Sequence, residues 1–111
     1  MTLPETMRAA VYRGPDDVRM ETVPVPPIGE GEVLLRVGAC GVCGTDVKKV
    51  AHGLLPPPRI FGHETAGVVA AIGADVAGFA VGERVAVYHH IPDPTSWYGS
   101  RGLYAQDPLY K

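Results

Sequence analysis

Gly41-Val42-Cys43-Gly44-Thr45-Asp46 and, 20 positions on from its cysteine to the histidine, Gly62-His63-Glu64-Thr65-Ala66-Gly67-Val68-Val69-Ala70-Ala71-Ile72-Gly73 decide how this chain reads. The run Ala66 to Gly73 is short, apolar and glycine-bounded, which predicts a buried strand. Thr45 or Asp46 can cap a short helix through Val50, because either side-chain oxygen accepts from the unpaired amides of a first turn. Gly53 ends it. Cys43, His63 and Glu64 offer a thiolate, an imidazole and a carboxylate, which together can occupy a tetrahedral zinc with one position left open. Read alone, one cysteine and one distant histidine are more often a buried thiol and a core histidine bonded to a backbone carbonyl.

Working outward, Met7 to Tyr12 and Val18 to Val23 read as a hairpin about the turn Gly14-Pro15-Asp16-Asp17. Pro24 to Gly29 cannot donate a regular ladder and is a connector or an edge. Glu32 to Ala39 is a strand candidate buried on at least one face, with Val33, Leu35 and Val37 alternating with Leu34 and Arg36. Leu54 to Pro58 is a proline-dominated loop, Gly78 to Glu83 a turn, and Arg84 to Tyr88 another strand. After His89-His90 the periodicity stops, so residues 89–111 are expected to form an irregular lobe. The sum is a mainly β chain, a small and partly open β-barrel with one short helix.

At 111 residues the chain is read as one domain, 1–111. A net charge of −2 with dispersed basic residues leaves no footprint for nucleic acid. No run approaches the roughly 20 apolar residues a membrane helix needs. Met1 to Met7 lacks a signal-peptide layout, so a cytoplasmic location is expected. Two cysteines there are more often thiols, ligands or redox groups than a disulfide framework. Cys40 and Cys43 have C-x-x-C spacing, but the glycine-rich, strand-dominated surroundings argue against a redox pair. Cys40 is expected to be a small buried residue, and His52 an exposed loop histidine.

GVCGTD, GHE with its TAGVVAAIG, and Gly82-Glu83-Arg84-Val85-Ala86-Val87, in that order, resemble the zinc-dependent medium-chain alcohol dehydrogenases in their N-terminal GroES-like catalytic domain. The likeness runs from Met7 to Lys111. It implies Cys43 and His63 as catalytic-zinc ligands and Glu64 as a ligand or its exchangeable neighbour. It makes Thr45 the hydroxyl that passes on the alcohol proton, and Asp46 the carboxylate that orients the ligand histidine. The activity implied for full-length relatives is oxidation of a small alcohol or sugar to a carbonyl with NAD or NADP.

Two departures qualify the resemblance. No G-x-G-x-x-G occurs here, so no residue is assigned to the nucleotide, and the chain is expected to be a catalytic-domain fragment, inactive alone, whose zinc binds weakly if at all. An exposed sheet edge then favours a homo-oligomer. The alternative is a GroES-like scaffold or self-associating module without catalysis. The second departure is in the lobe. The family's structural-zinc spacing, C-x2-C-x2-C-x7-C, falls on Asp93, Ser96, Gly99 and Asp107, none of them cysteine. No structural zinc is expected; the pattern reads as replacement of the cysteines, leaving a mobile lobe or one held by Trp97, Tyr98, Leu103 and Tyr104 packing inward.

Overall fold

A computed structural model describes residues 2–108, so Leu109 to Lys111 of the expected lobe lie outside the described residues. Strands β1 (Thr6–Gly14) and β2 (Asp17–Pro24) form the antiparallel hairpin, with Met7 opposite Val23 and Tyr12 opposite Val18. The turn places Asp16 in the left-handed region at φ 56°, a conformation aspartate tolerates through its short polar side chain. Arg13 grips Glu21 across the hairpin with two charge-assisted hydrogen bonds of 2.8 and 2.6 Å, on the solvent side.

The second sheet runs β3 (Val33–Gly41), β4 (Glu64–Ile72), β5 (Arg84–Ala86), all antiparallel. Along β3 and β4 the pairing shifts between Leu34 and Leu35 and shifts back between Val37 and Ala39. Ala70 on β4 and Gly38 on β3 are the extra residues, and the two offsets cancel. The strand expected over Arg84–Tyr88 ends early at Ala86, although Val87 still donates to the Thr65 carbonyl at 2.9 Å. The two sheets do not close into a barrel among the described residues; the architecture is mainly β, open, with one helix.

The core lies mainly under the hairpin. Tyr12 and Val69 are each 1% exposed, with Ala9 and Val11 also buried. Tyr12 exchanges backbone hydrogen bonds with Arg59, at 2.8 and 3.0 Å, and meets Phe61 edge-on at 6.1 Å, which ties the proline loop to β1. Burial on β3 is weaker than its alternation suggested. Val37 is 56% exposed and Cys40 is exposed rather than buried: β3 is an edge strand, and Cys40 lines an open cleft.

Helix α1 (Gly44–His52) begins two residues before Asp46, and its N-cap is Cys43, not Thr45 or Asp46. Asp46 sits at the third helical position and its Oδ2 reaches back to accept the Cys43 amide at 3.0 Å, the carboxylate half of a capping box. Gly53 closes the helix in the left-handed conformation at φ 62°, its amide bonded to the Lys49 carbonyl. His52 therefore lies in the last helical turn instead of a loop.

Beyond β5 the chain makes two short 3-10 turns, Gly99–Arg101 and Tyr104–Gln106, and no strand up to residue 108. Its closure is polar. Ser96 Oγ donates to Asp107 Oδ2 at 2.6 Å and accepts the Gly99 amide at 2.8 Å, while Asp93 Oδ1 accepts from the Thr95 amide and hydroxyl at 2.9 and 2.6 Å. The four positions at the structural-zinc spacing are thus neighbours. The expected inward aromatic packing is only half met: Tyr98 and Tyr104 are half-buried, but Leu103 is exposed and Trp97 is 60% exposed, with the Arg101 guanidinium 4.2 Å from the Trp97 ring.

Candidate metal centre

The register of one strand pair assembles the site. Gly41, the last residue of β3, stands opposite Glu64, the first residue of β4. Two residues beyond Gly41 the chain reaches Cys43 at the helix start, and one residue before Glu64 lies His63. A thiol, an imidazole and a carboxylate therefore converge, with one ligand atom from each all within 4.8 Å of one another. Cys43 and His63 are half-buried and Glu64 is exposed, so the group opens to solvent.

Asp46, 8% exposed, holds two of the three. Its Oδ2 takes the Cys43 amide and its Oδ1 faces His63 Nδ1 at 3.4 Å, so one carboxylate spans the backbone of one ligand candidate and the ring of another. Thr45 is exposed beside them. Its hydroxyl and its amide bond the Cys43 sulfur, and together with a hydrogen bond from His63 they hold the Cys43 thiol below its ordinary range. A helix N-terminus acts in the same direction. All five sequence-predicted site residues are thus brought together.

The donor set fits zinc. Ligands about 2.0–2.3 Å from a tetrahedral zinc lie roughly 3.3–3.8 Å apart, within side-chain rotation of the observed cluster. Among the described residues it is the one grouping of three histidine, cysteine or carboxylate side chains close enough to hold a metal ion.

The sequence reading missed His89. Its ring meets His63 edge-on at 5.3 Å, and His90 and Tyr88 lie against it at 4.1 and 5.5 Å. The pairing in the structure places it: Ala66 faces Ala86 and Val68 faces Arg84, and continuing that antiparallel register sets His63 opposite His89, a register no local sequence signal gives. Burial, then the neighbouring His89, keeps the His90 imidazole below its ordinary value. A separate cleft of about 430 Å³, lined by Tyr12, Val18, Cys40, Val47 and Phe61, touches Asp46 from behind but does not reach the triad.

The model of the alcohol dehydrogenase GroES-like domain matches residues 29–107. The chain belongs to the zinc-dependent medium-chain alcohol dehydrogenases. Sorbitol dehydrogenase of Bacillus subtilis (strain 168) is 44% identical over 91 residues, covering 78% of this chain and 26% of that protein. D-xylulose reductase of Saccharomyces cerevisiae is 36% identical over 117 aligned positions, covering all of this chain and 33% of that protein. The cobalt- and zinc-bound thermostable alcohol dehydrogenase of Pyrobaculum aerophilum superposes with a TM-score of 0.85 at 33% identity, over 94% of this chain and 33% of that one. This alcohol dehydrogenase domain thus spans about a third or less of the length of the relatives it matches. Among its described residues no helix is long and apolar enough to cross a membrane.

Proposed function

We propose that this chain is part of the catalytic-zinc domain of an NAD(P)-dependent alcohol or polyol dehydrogenase, with Cys43, His63 and Glu64 holding a single zinc ion. The observation that carries the reading is the convergence of those three ligand types within 4.8 Å around the Asp46 carboxylate. When bound, zinc supplies a Lewis acid that acidifies an alcohol hydroxyl. The chain's own residues do the rest. Asp46 faces His63 Nδ1 and orients its ring, the Cys43 thiol is lowered from its ordinary range, and the exposed Thr45 hydroxyl takes up the substrate proton as it releases its own to solvent. Small alcohols and sugar alcohols are the substrate class, by likeness to the sorbitol dehydrogenase and xylulose reductase relatives.

No dinucleotide fingerprint occurs in the 111 residues, and no turnover of alcohol with NAD or NADP is expected of this chain alone. The lobe's hydrogen-bonded node supports a single metal per chain, with no second zinc there. Elemental analysis tests the proposal. About one zinc per chain, lost in Cys43→Ser, is expected; zinc retained in that variant refutes it. Self-association without catalysis is a second reading, favoured by the uncovered edge of β3 with Val37 exposed. A monomeric mass across the micromolar range removes it.

A further inference from the structure

Gly41 has no conformational reason to be glycine: its φ lies outside the left-handed region, unlike that of Gly53 or Gly102. Nor is it buried. Glycine at the end of a strand gives up side-chain packing and backbone order, so its presence calls for something that occupies the missing side chain's place. Directly opposite residues of an antiparallel pair project to the same face with Cβ atoms about 4.5–5.5 Å apart, and the residue opposite Gly41 is Glu64. The Glu64 side chain lies across that space. A Cβ on Gly41 would overlap Glu64 Oε2 and approach its Cβ and Cδ to 3.1 and 3.2 Å. The crowding reaches from the root of the Glu64 side chain to its tip, so a small rotation of the carboxylate does not relieve it.

We propose that Gly41 is a positioning residue for Glu64: the absent side chain is the slot that lets the Glu64 carboxylate fold back toward Cys43 and His63. The inference rests on the metal-centre reading above. Any side chain at position 41 drives Glu64 to a rotamer directed away from the triad, leaving Cys43 and His63 as a two-ligand site. Gly38, on the same strand, is an internal control. A Cβ there meets nothing closer than the Ala66 carbonyl at 3.7 Å, an ordinary contact.

The test is cobalt(II) titration of the full chain, read by its thiolate-to-cobalt charge-transfer band, with circular dichroism to establish folding. Gly41→Ala is expected to weaken cobalt binding by about 10- to 100-fold, as loss of an orienting or ligating group does. Gly38→Ala is expected to leave it unchanged. The deciding comparison is a double-mutant cycle: in a Glu64→Ala background, Gly41→Ala should have no further effect. If Gly41→Ala binds as tightly as the unsubstituted chain, or weakens binding equally with and without Glu64, the inference is overturned while the metal centre stands. If the unsubstituted chain shows no band, the metal-centre reading fails and takes this inference with it. Should Gly41→Ala misfold, a double variant that folds and binds like Glu64→Ala supports the slot, and one that also misfolds overturns it.

Discussion

The triad at the β3–β4 junction, with Asp46 behind it, and the node in the lobe each join four residues that are not contiguous in sequence, yet they do it with opposite chemistry. At the triad, Cys43, His63 and Glu64 are all metal-ligand types, and the fourth member, Asp46, accepts the Cys43 amide and faces His63 Nδ1 at 3.4 Å. In the lobe, Asp93, Ser96, Gly99 and Asp107 satisfy one another: hydroxyl to carboxylate, amide to hydroxyl, and a glycine pressed against the Asp93 carbonyl where a Cβ would overlap. One region gathers three ligand-type side chains within 4.8 Å. The other ties its members by hydrogen bonds through the Ser96 hydroxyl. Zinc needs at least three nitrogen, sulfur or oxygen donors arranged about a point, and glycine brings none, so spacing alone does not make a metal site.

The comparison can be broken most severely at Asp46. Asp46→Asn removes the negative charge facing His63 while keeping a group able to accept the Cys43 amide. Zinc affinity is expected to fall by about 10- to 100-fold with the helix content retained; an unchanged dissociation constant would show that the carboxylate serves only the helix cap.

Next is Ser96→Ala. It strips Asp107, nearly buried, of a donor and leaves the Gly99 amide without its acceptor, a loss of about 1–3 kcal/mol for an unsatisfied buried group. Faster hydrogen exchange at Gly99, with zinc content untouched, is the expected outcome. A fall in zinc content would show that the two regions are coupled.

Acid sharpens the same contrast by a smaller step. The Asp93 carboxylate sits below its ordinary value of 3.8, chiefly through the Thr95 hydroxyl and then the Thr95 amide. A depressed folded pKa stabilises the lobe above the unfolded value, and the contribution is lost as pH falls through the lowered folded value. Exchange in the lobe should therefore accelerate only below about pH 4, and Thr95→Ala should shrink that acid step, because the folded value then approaches the unfolded one. An acid step of the same size without the Thr95 hydroxyl would rule out this pair as its source.

Much of this was legible in the sequence, and the residues show why the remainder was not. Gly14-Pro15-Asp16-Asp17 announced the hairpin because turn chemistry is local, and the apolar run after Glu64 announced β4. The helix cap was misplaced by two or three residues because cysteine is an unusual N-cap, so the oxygen-bearing Thr45 and Asp46 drew the assignment. The alternation of Val33, Leu35 and Val37 was correct as periodicity, but periodicity does not say what covers a face, and Val37 and Cys40 stay exposed. The ligand types were readable from motif resemblance. The Gly41–Glu64 register was not, since it depends on two bulges whose shifts cancel. In the lobe, the large aromatics drew attention, while the closure was made by small turn residues that are individually ordinary.

Zinc K-edge X-ray absorption on the metal-loaded chain distinguishes metal at the triad from metal in the lobe. A first shell with one sulfur at about 2.3 Å and nitrogen or oxygen at about 2.0–2.2 Å is predicted, the signature of Cys43 with His63 and Glu64. A shell of oxygen alone would place the ion on carboxylates such as Asp93 and Asp107 and contradict the account.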